Sequence, residues 1–292
     1  MHLELLTLPG SPERPNEDLV SAVAPAAALD GCLVLLDGVT PPAGEYGCRH
    51  TVPWFVAHLG GALSELAATR RDMTLTECLA EAIERTASRH AGTCDLSHPR
   101  TPQATVVIAR WDTERVEHLV LSDSVLLVGS PGQAVHVVRD DRLTYLPEPV
   151  PTLRARIAEL PADSPERAQL RREHAAAVEG LRNATGGAGF YTAAGDPASA
   201  RYAVVGERPR RDVATLLALS DGASRWSEVF RLGDWDQLHA LVAREGPRAL
   251  LDEVRAAERA DPETRRYPRG KRHDDASVVF AQLPGALAEM AG

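Results

Sequence analysis

Aliphatic runs that stop at an aspartate recur along this chain, and they limit its fold more than any other feature. Leu33-Val34-Leu35-Leu36 runs into Asp37-Gly38, Leu119-Val120-Leu121 into Ser122-Asp123-Ser124, and Leu216-Leu217-Ala218-Leu219 into Ser220-Asp221-Gly222. An unbroken apolar run suits a strand covered on both faces. A further motif, His273-Asp274-Asp275-Ala276-Ser277-Val278-Val279-Phe280, reverses the order, with carboxylates leading into the strand. At a strand end an Asp can reach past the sheet edge. Carboxylates gathered there repel one another unless a cation lies among them. Oxygen-only ligation of that kind suits Mg²⁺ or Mn²⁺ rather than zinc.

The chain's 292 residues, 44% hydrophobic, suffice for one large core or two small ones. An excess of 41 acidic over 32 basic residues argues against a generic electrostatic nucleic-acid binder. Cys32, Cys48, Cys78 and Cys94 include no Cys-x-x-Cys pair, which reads as reduced, intracellular usage. The start Met1-His2-Leu3-Glu4-Leu5-Leu6 lacks the basic and apolar regions of a secretion signal. No apolar stretch approaches the roughly 20 residues that cross a bilayer. A cytoplasmic monomer without membrane or nucleic-acid partners is expected.

Periodicity places strands near 2–8, 19–23 and 32–37, then helices near 51–70 and 74–91. Strands at 104–110, 116–121, 125–128 and 135–138 read as an antiparallel meander. Prolines at 147, 149 and 151 interrupt the pattern before a charged surface helix, 163–182, opened by Asp163-Ser164-Pro165-Glu166. A glycine-rich loop, 183–189, precedes strands near 201–206 and 213–220 and helices near 235–244 and 246–260. A basic loop (Arg265, Arg266, Arg269, Lys271, Arg272) leads into a final strand, 276–283. Strands and helices come in runs, which favours an α+β arrangement in one domain spanning 1–292.

With Asn16-Glu17-Asp18 added, the motifs fall into a familiar order: Asp37-Gly38, Pro102-Gln103-Ala104-Thr105, Ser122-Asp123-Ser124, Ser220-Asp221-Gly222 and Asp274-Asp275-Ala276-Ser277. Over about residues 7–283 the chain resembles the metal-dependent protein phosphatases of type 2C. The resemblance implies a four-layer α/β/β/α sandwich with two central antiparallel sheets and a metal centre at one end. It implies that Asp37 bridges two Mn²⁺ or Mg²⁺ ions, that Asp221 and Asp274 complete one sphere, and that the Gly38 carbonyl serves the other. Glu17 and Asp18 would act through waters, and Asp123 with Asp221 would hold a weaker third ion. The implied activity is hydrolysis of phosphoserine and phosphothreonine in proteins by a water activated between the ions. Asp37, Asp221 and Asp274 are the expected catalytic centre.

Some positions depart from that pattern. Glu13 stands where the family carries a phosphate-gripping Arg, leaving Arg14 as the candidate. Val39 replaces the usual His after Asp37-Gly38 and cannot protonate a leaving group; His50 is the nearby candidate for a general acid. Segment 147–200 falls where relatives carry a variable flap beside the active site. These departures leave open a catalytically weak relative that binds phosphoproteins, or a phosphatase of small-molecule phosphoesters. Cys48 and His50 with Cys94 and His98 have the composition of a Cys₂His₂ zinc site, but their spacings are not those of standard zinc modules. Buried thiols and packing histidines are the expectation there. The basic loop 265–272 reads either as a solvated loop or as an attractor for phosphorylated substrate beside Asp274.

Overall fold

A computed structural model describes residues 1–284 apart from 26–28, 43, 45–46, 162–163 and 185. Asp163, expected at a helix start, and residue 185 of the glycine-rich loop lie outside the described residues. The strands are β1 (His2–Leu8), β2 (Leu19–Val23), β3 (Gly31–Gly38), β4 (Ala104–Trp111), β5 (Arg115–Leu121), β6 (Val125–Gly129), β7 (His136–Val138), β8 (Val204–Pro209), β9 (Thr215–Leu219) and β10 (Ala276–Gln282). They form two five-stranded antiparallel sheets, ordered β1-β10-β9-β6-β7 and β2-β3-β4-β5-β8.

Alternation along the strands builds the layers. Leu33 and Leu35 of β3, with Val107 and Ala109 of β4, meet Leu216 and Ala218 of β9 and Val279 and Ala281 of β10 between the sheets. The opposite faces of β3 and β4 (Val34, Leu36, Val106, Ile108) pack under helices α1 (Val52–Thr69) and α2 (Leu75–Ser88). Leu217, Leu219, Val278 and Phe280 pack under α5 (Asp221–Glu228), α6 (Trp235–Glu245) and α7 (Pro247–Ala260). This is the expected α/β/β/α sandwich, its central strands buried on both faces as their sequence requires.

Between the sheets' connections lie α3 (Val150–Glu159) and α4 (Pro165–Leu181), which close a smaller apolar cluster of Leu146, Val150 and Phe190 flanked by Leu143, Val178 and Leu181. The expected meander needs correcting. β4 and β5 form a hairpin, but the chain then changes sheet, and β6 pairs with β7 and β9. The change happens at Ser122-Asp123-Ser124, where Ser122 takes a left-handed backbone with φ 70. The strand expected near 201–206 is a short 3₁₀ turn over Pro197–Tyr202 followed by β8.

Candidate metal centre

One edge of the sandwich collects the strand-end carboxylates. Asp37 closes β3 and faces Thr105 across the β3–β4 ladder. Asp221 follows β9, Asp274 precedes β10, and these strands are antiparallel neighbours, so both fall at the same edge. Asp123 arrives through the sheet change. Asp37, Gly38, Asp123, Asp221 and Asp274 line one cleft of ≈ 330 Å³. Glu17 and Arg14 line an adjoining hollow of ≈ 260 Å³ that shares Thr40, Lys271 and Asp274 with it.

Backbone packing explains the Asp-Gly pairs. A Cβ on Gly38 would stand 2.3 Å from the Glu17 carbonyl, and one on Gly222 would stand 1.9 Å from that of Asp275. Only glycine lets these segments close around the carboxylates. Asp275, the second acid of its motif, accepts backbone N–H bonds from Gly10 and Glu17, both at 2.7 Å. It is a splice between the chain's first loop and β10, which leaves Asp274 as the acid facing the cleft.

The electrostatics are those of crowded anions. Burial, joined by Asp275, Asp221 and Asp274, holds Asp18 up at about 7 despite a 2.7 Å bond from the Ser277 hydroxyl. Burial and then Asp274 and Asp123 raise Asp221 to about 7 as well. Asp37 is pushed well above the carboxylate range by burial and by Asp18, Asp221, Asp123 and Asp274 together. Asp123 is raised by burial. One Asp18 oxygen, Oδ1, is buried without a hydrogen-bond partner. An all-oxygen donor set with mutual repulsion and an orphaned carboxylate oxygen fits a hard divalent cation.

Cations already partner one member. Lys271 Nζ donates to Asp274 Oδ1 at 2.7 Å and to Thr40 Oγ1 at 3.0 Å, and Arg225 donates to Asp274 Oδ2 at 2.7 Å. Burial works against the Lys271 charge, but Asp274, Asp221 and Asp37 outweigh it and keep the ammonium protonated. Arg182, at the end of α4, also lines the cleft with its Nε buried and unpartnered. The basic loop therefore divides. Arg269 is locked to Asp261 at 2.8 Å and is structural, whereas Lys271 enters the site. Arg225 and Arg182 carried no signal in the sequence.

Arg14 lines the adjoining hollow rather than the carboxylate cleft. His50 lines neither. Its ring stacks on Trp54 with centroids 4.1 Å apart, and its Nδ1 lies 3.3 Å from Cys94 Sγ. That placement removes the ground for a general-acid role. The grouping of Cys48, His50 and Cys94 is observed, but with His90 in place of His98. His98 Nδ1 instead accepts from the Arg100 backbone N–H at 3.1 Å.

No family model and no curated protein matches the sequence. Solved structures do match. Serine/threonine phosphatase Stp1 from Staphylococcus aureus aligns at TM-score 0.56 and 15% identity over 97% of this chain and 95% of that one. The Mycobacterium tuberculosis serine/threonine phosphatase PstP/Ppp gives 0.55 and 17% over 97% and 98%. The S. agalactiae serine/threonine phosphatase gives 0.55 and 13% over 97% and 99%. The chain has the fold of these enzymes along nearly its whole length.

Proposed function

We propose that this chain, acting as one catalytic unit, is a metal-dependent phosphatase of phosphoserine and phosphothreonine in proteins. The observation that carries the reading is the convergence of Asp37, Asp123, Asp221 and Asp274 in one cleft of a phosphatase-type sandwich, beside a buried Asp18 oxygen with no partner. Asp37, Asp221, Asp274 and the Gly38 carbonyl would hold two Mn²⁺ or Mg²⁺ ions, with Asp37 common to both. Asp123 with Asp221 would hold a third, and Glu17 and Asp18 would support the rim. When bound, such ions supply an activated water for in-line attack and neutralise charge on the phosphoryl oxygens.

The chain's own contribution is positioning. Lys271 and Arg182 face the cleft as cations suited to phosphoryl oxygens. Leu143, Val178 and Phe190 form an apolar wall on the α3–α4 side of the same cleft. A wall of that kind suits a peptide flanking the phosphorylated residue better than a small, fully polar phosphoester. Val39 lines the cleft where the resembled family carries a His, and its side chain supplies no proton to a leaving group. Hydrolysis of a phosphothreonine peptide in Mn²⁺ tests this directly. Asp37→Asn and Asp221→Asn should each lower kcat by about 10²–10³-fold, and unchanged turnover in either overturns the assignment.

A second reading has one observation in its favour: both Asp274 oxygens are already held, by Lys271 and Arg225. A silent relative that binds phosphoproteins would tolerate that arrangement. Mn²⁺ binding with no turnover on any phosphoester supports it, and robust turnover rejects it.

A further inference from the structure

Away from the carboxylate edge, the segment before α1 meets the turn after α2. Cys48, His50, His90 and Cys94 each place a ligand atom within 4.8 Å of all the others. Cys48 Sγ lies 3.6 Å from His50 Nδ1 and 3.4 Å from His90 Nδ1, and His50 Nδ1 lies 3.3 Å from Cys94 Sγ. A zinc tetrahedron with Zn–S of about 2.3 Å and Zn–N of about 2.0–2.1 Å has sulfur–nitrogen edges of about 3.5 Å. The two sulfurs are 2.9 Å apart, so a metal between them has to spread the thiols. Loop and helix-end positions make that movement easy.

We propose that Cys48, His50, His90 and Cys94 bind a structural zinc ion that ties the segment following the Asp37-Gly38 turn to the end of α2. Two thiolates and two neutral imidazoles around Zn²⁺ carry no net charge, which suits a half-buried site, and four protein ligands leave no open position for catalysis. The site's surroundings supply what thiolate ligation needs: the His50 backbone N–H points at Cys48 Sγ at 3.4 Å, and the Thr93 hydroxyl lies 3.7 Å from Cys94 Sγ. Trp54, stacked on His50, fixes that ring's orientation. Packing alone explains the cluster poorly. His90 is 1% exposed, yet it turns its Nδ1 toward Cys48 Sγ at 3.4 Å, so a fully buried imidazole directs a ring nitrogen into the cluster. Cys48 and Cys94 are only half-buried, unlike the packing thiols Cys32 and Cys78.

The proposal stands apart from the phosphatase reading, and its test reads metal rather than turnover. Protein purified in reducing buffer should carry about one zinc per chain by elemental analysis. Cys48→Ser and Cys94→Ser should each carry none, while His98→Asn keeps the full complement. Because a cysteine variant can fail to fold, the wild-type chain stripped with a chelator is also titrated with Co²⁺. Thiolate-to-cobalt charge-transfer bands and the visible bands of a tetrahedral ion are expected, and a carboxylate site cannot produce the former. Absence of both zinc and the charge-transfer bands in the reduced wild-type chain overturns the proposal. So does a Cys48–Cys94 disulfide, seen as the loss of two hydrogens in the intact mass of protein kept reduced.

Discussion

Asp274 is where opposing demands meet. It is held by Lys271 and Arg225, yet it faces the cleft where Asp37 and Asp221 need a counter-cation. Under the proposed function, Lys271 would compete with a metal for Asp274 while offering its charge to a phosphoryl group. Lys271→Ala should tighten Mn²⁺ binding by about tenfold, from the removal of one nearby positive charge, and raise KM for a phosphopeptide. Calorimetry and steady-state kinetics read these separately, and an unchanged Mn²⁺ affinity would show that Lys271 does not stand in the metal's way. Ser122 presents a different cost. Its φ of 70 is a left-handed conformation that a side chain disfavours by about 1–2 kcal/mol. Part of that is offset by the greater freedom glycine gains in the unfolded chain. Ser122→Gly should thus stabilise the protein by about 0.5–1 kcal/mol, visible as a Tm rise of about 1–4 °C. A fall in Tm would mean that the lost 3.2 Å bond from the Ser122 hydroxyl to Asp123 Oδ1 outweighs the relief of the backbone.

At the level of elements, α4 supplies Val178 to one wall of the cleft and brings Arg182 to it, while α3 closes the apolar cluster behind that wall. If Arg182 grips phosphate, Arg182→Ala should raise KM about tenfold with a smaller effect on kcat; a kcat-only loss would place its role in catalysis instead. Nearly every strand and most helices were legible because their apolar spacing is long and regular, as in β3, β9 and α2. α3 was not, because Pro149 and Pro151 read as interruptions; both lie at the start of the helix, where a missing N–H costs nothing. α5 was hidden because it begins at Asp221, directly behind a strand, and spans only eight residues. The acids of the site were legible from strand ends and Lys271 from the basic loop beside Asp274, whereas Arg182 reaches the cleft from the end of α4, far along the chain from those acids. His90 had a readable signal that pointed elsewhere. His90 and Cys94 are one helical turn apart, joined by a Cys94 N–H to His90 carbonyl bond of 3.0 Å, which puts both on one face.

Across the whole molecule, the carboxylate edge sets how stability depends on pH. Burial and the neighbouring carboxylates push Asp18 and Asp221 up to about 7, above the value of about 3.9 for an unfolded chain. A raised folded value means the native state binds more protons. Its contribution is full below about pH 4 and is lost as pH rises through about 7. In the proposed function a divalent cation would replace those protons, so its stabilising effect would grow over the same window. The Tm increase on adding Mn²⁺ should be small near about pH 5 and larger near about pH 8; a shift independent of pH would contradict this linkage.

The convergence of Asp37, Asp221 and Asp274 on hard cations is tested most directly by titrating Mn²⁺ into the wild-type chain and Asp37→Asn in a calorimeter at neutral pH. Saturable binding to the wild type, lost or greatly weakened in Asp37→Asn, is the predicted result. Equal binding by both proteins, or none by the wild type, would contradict it.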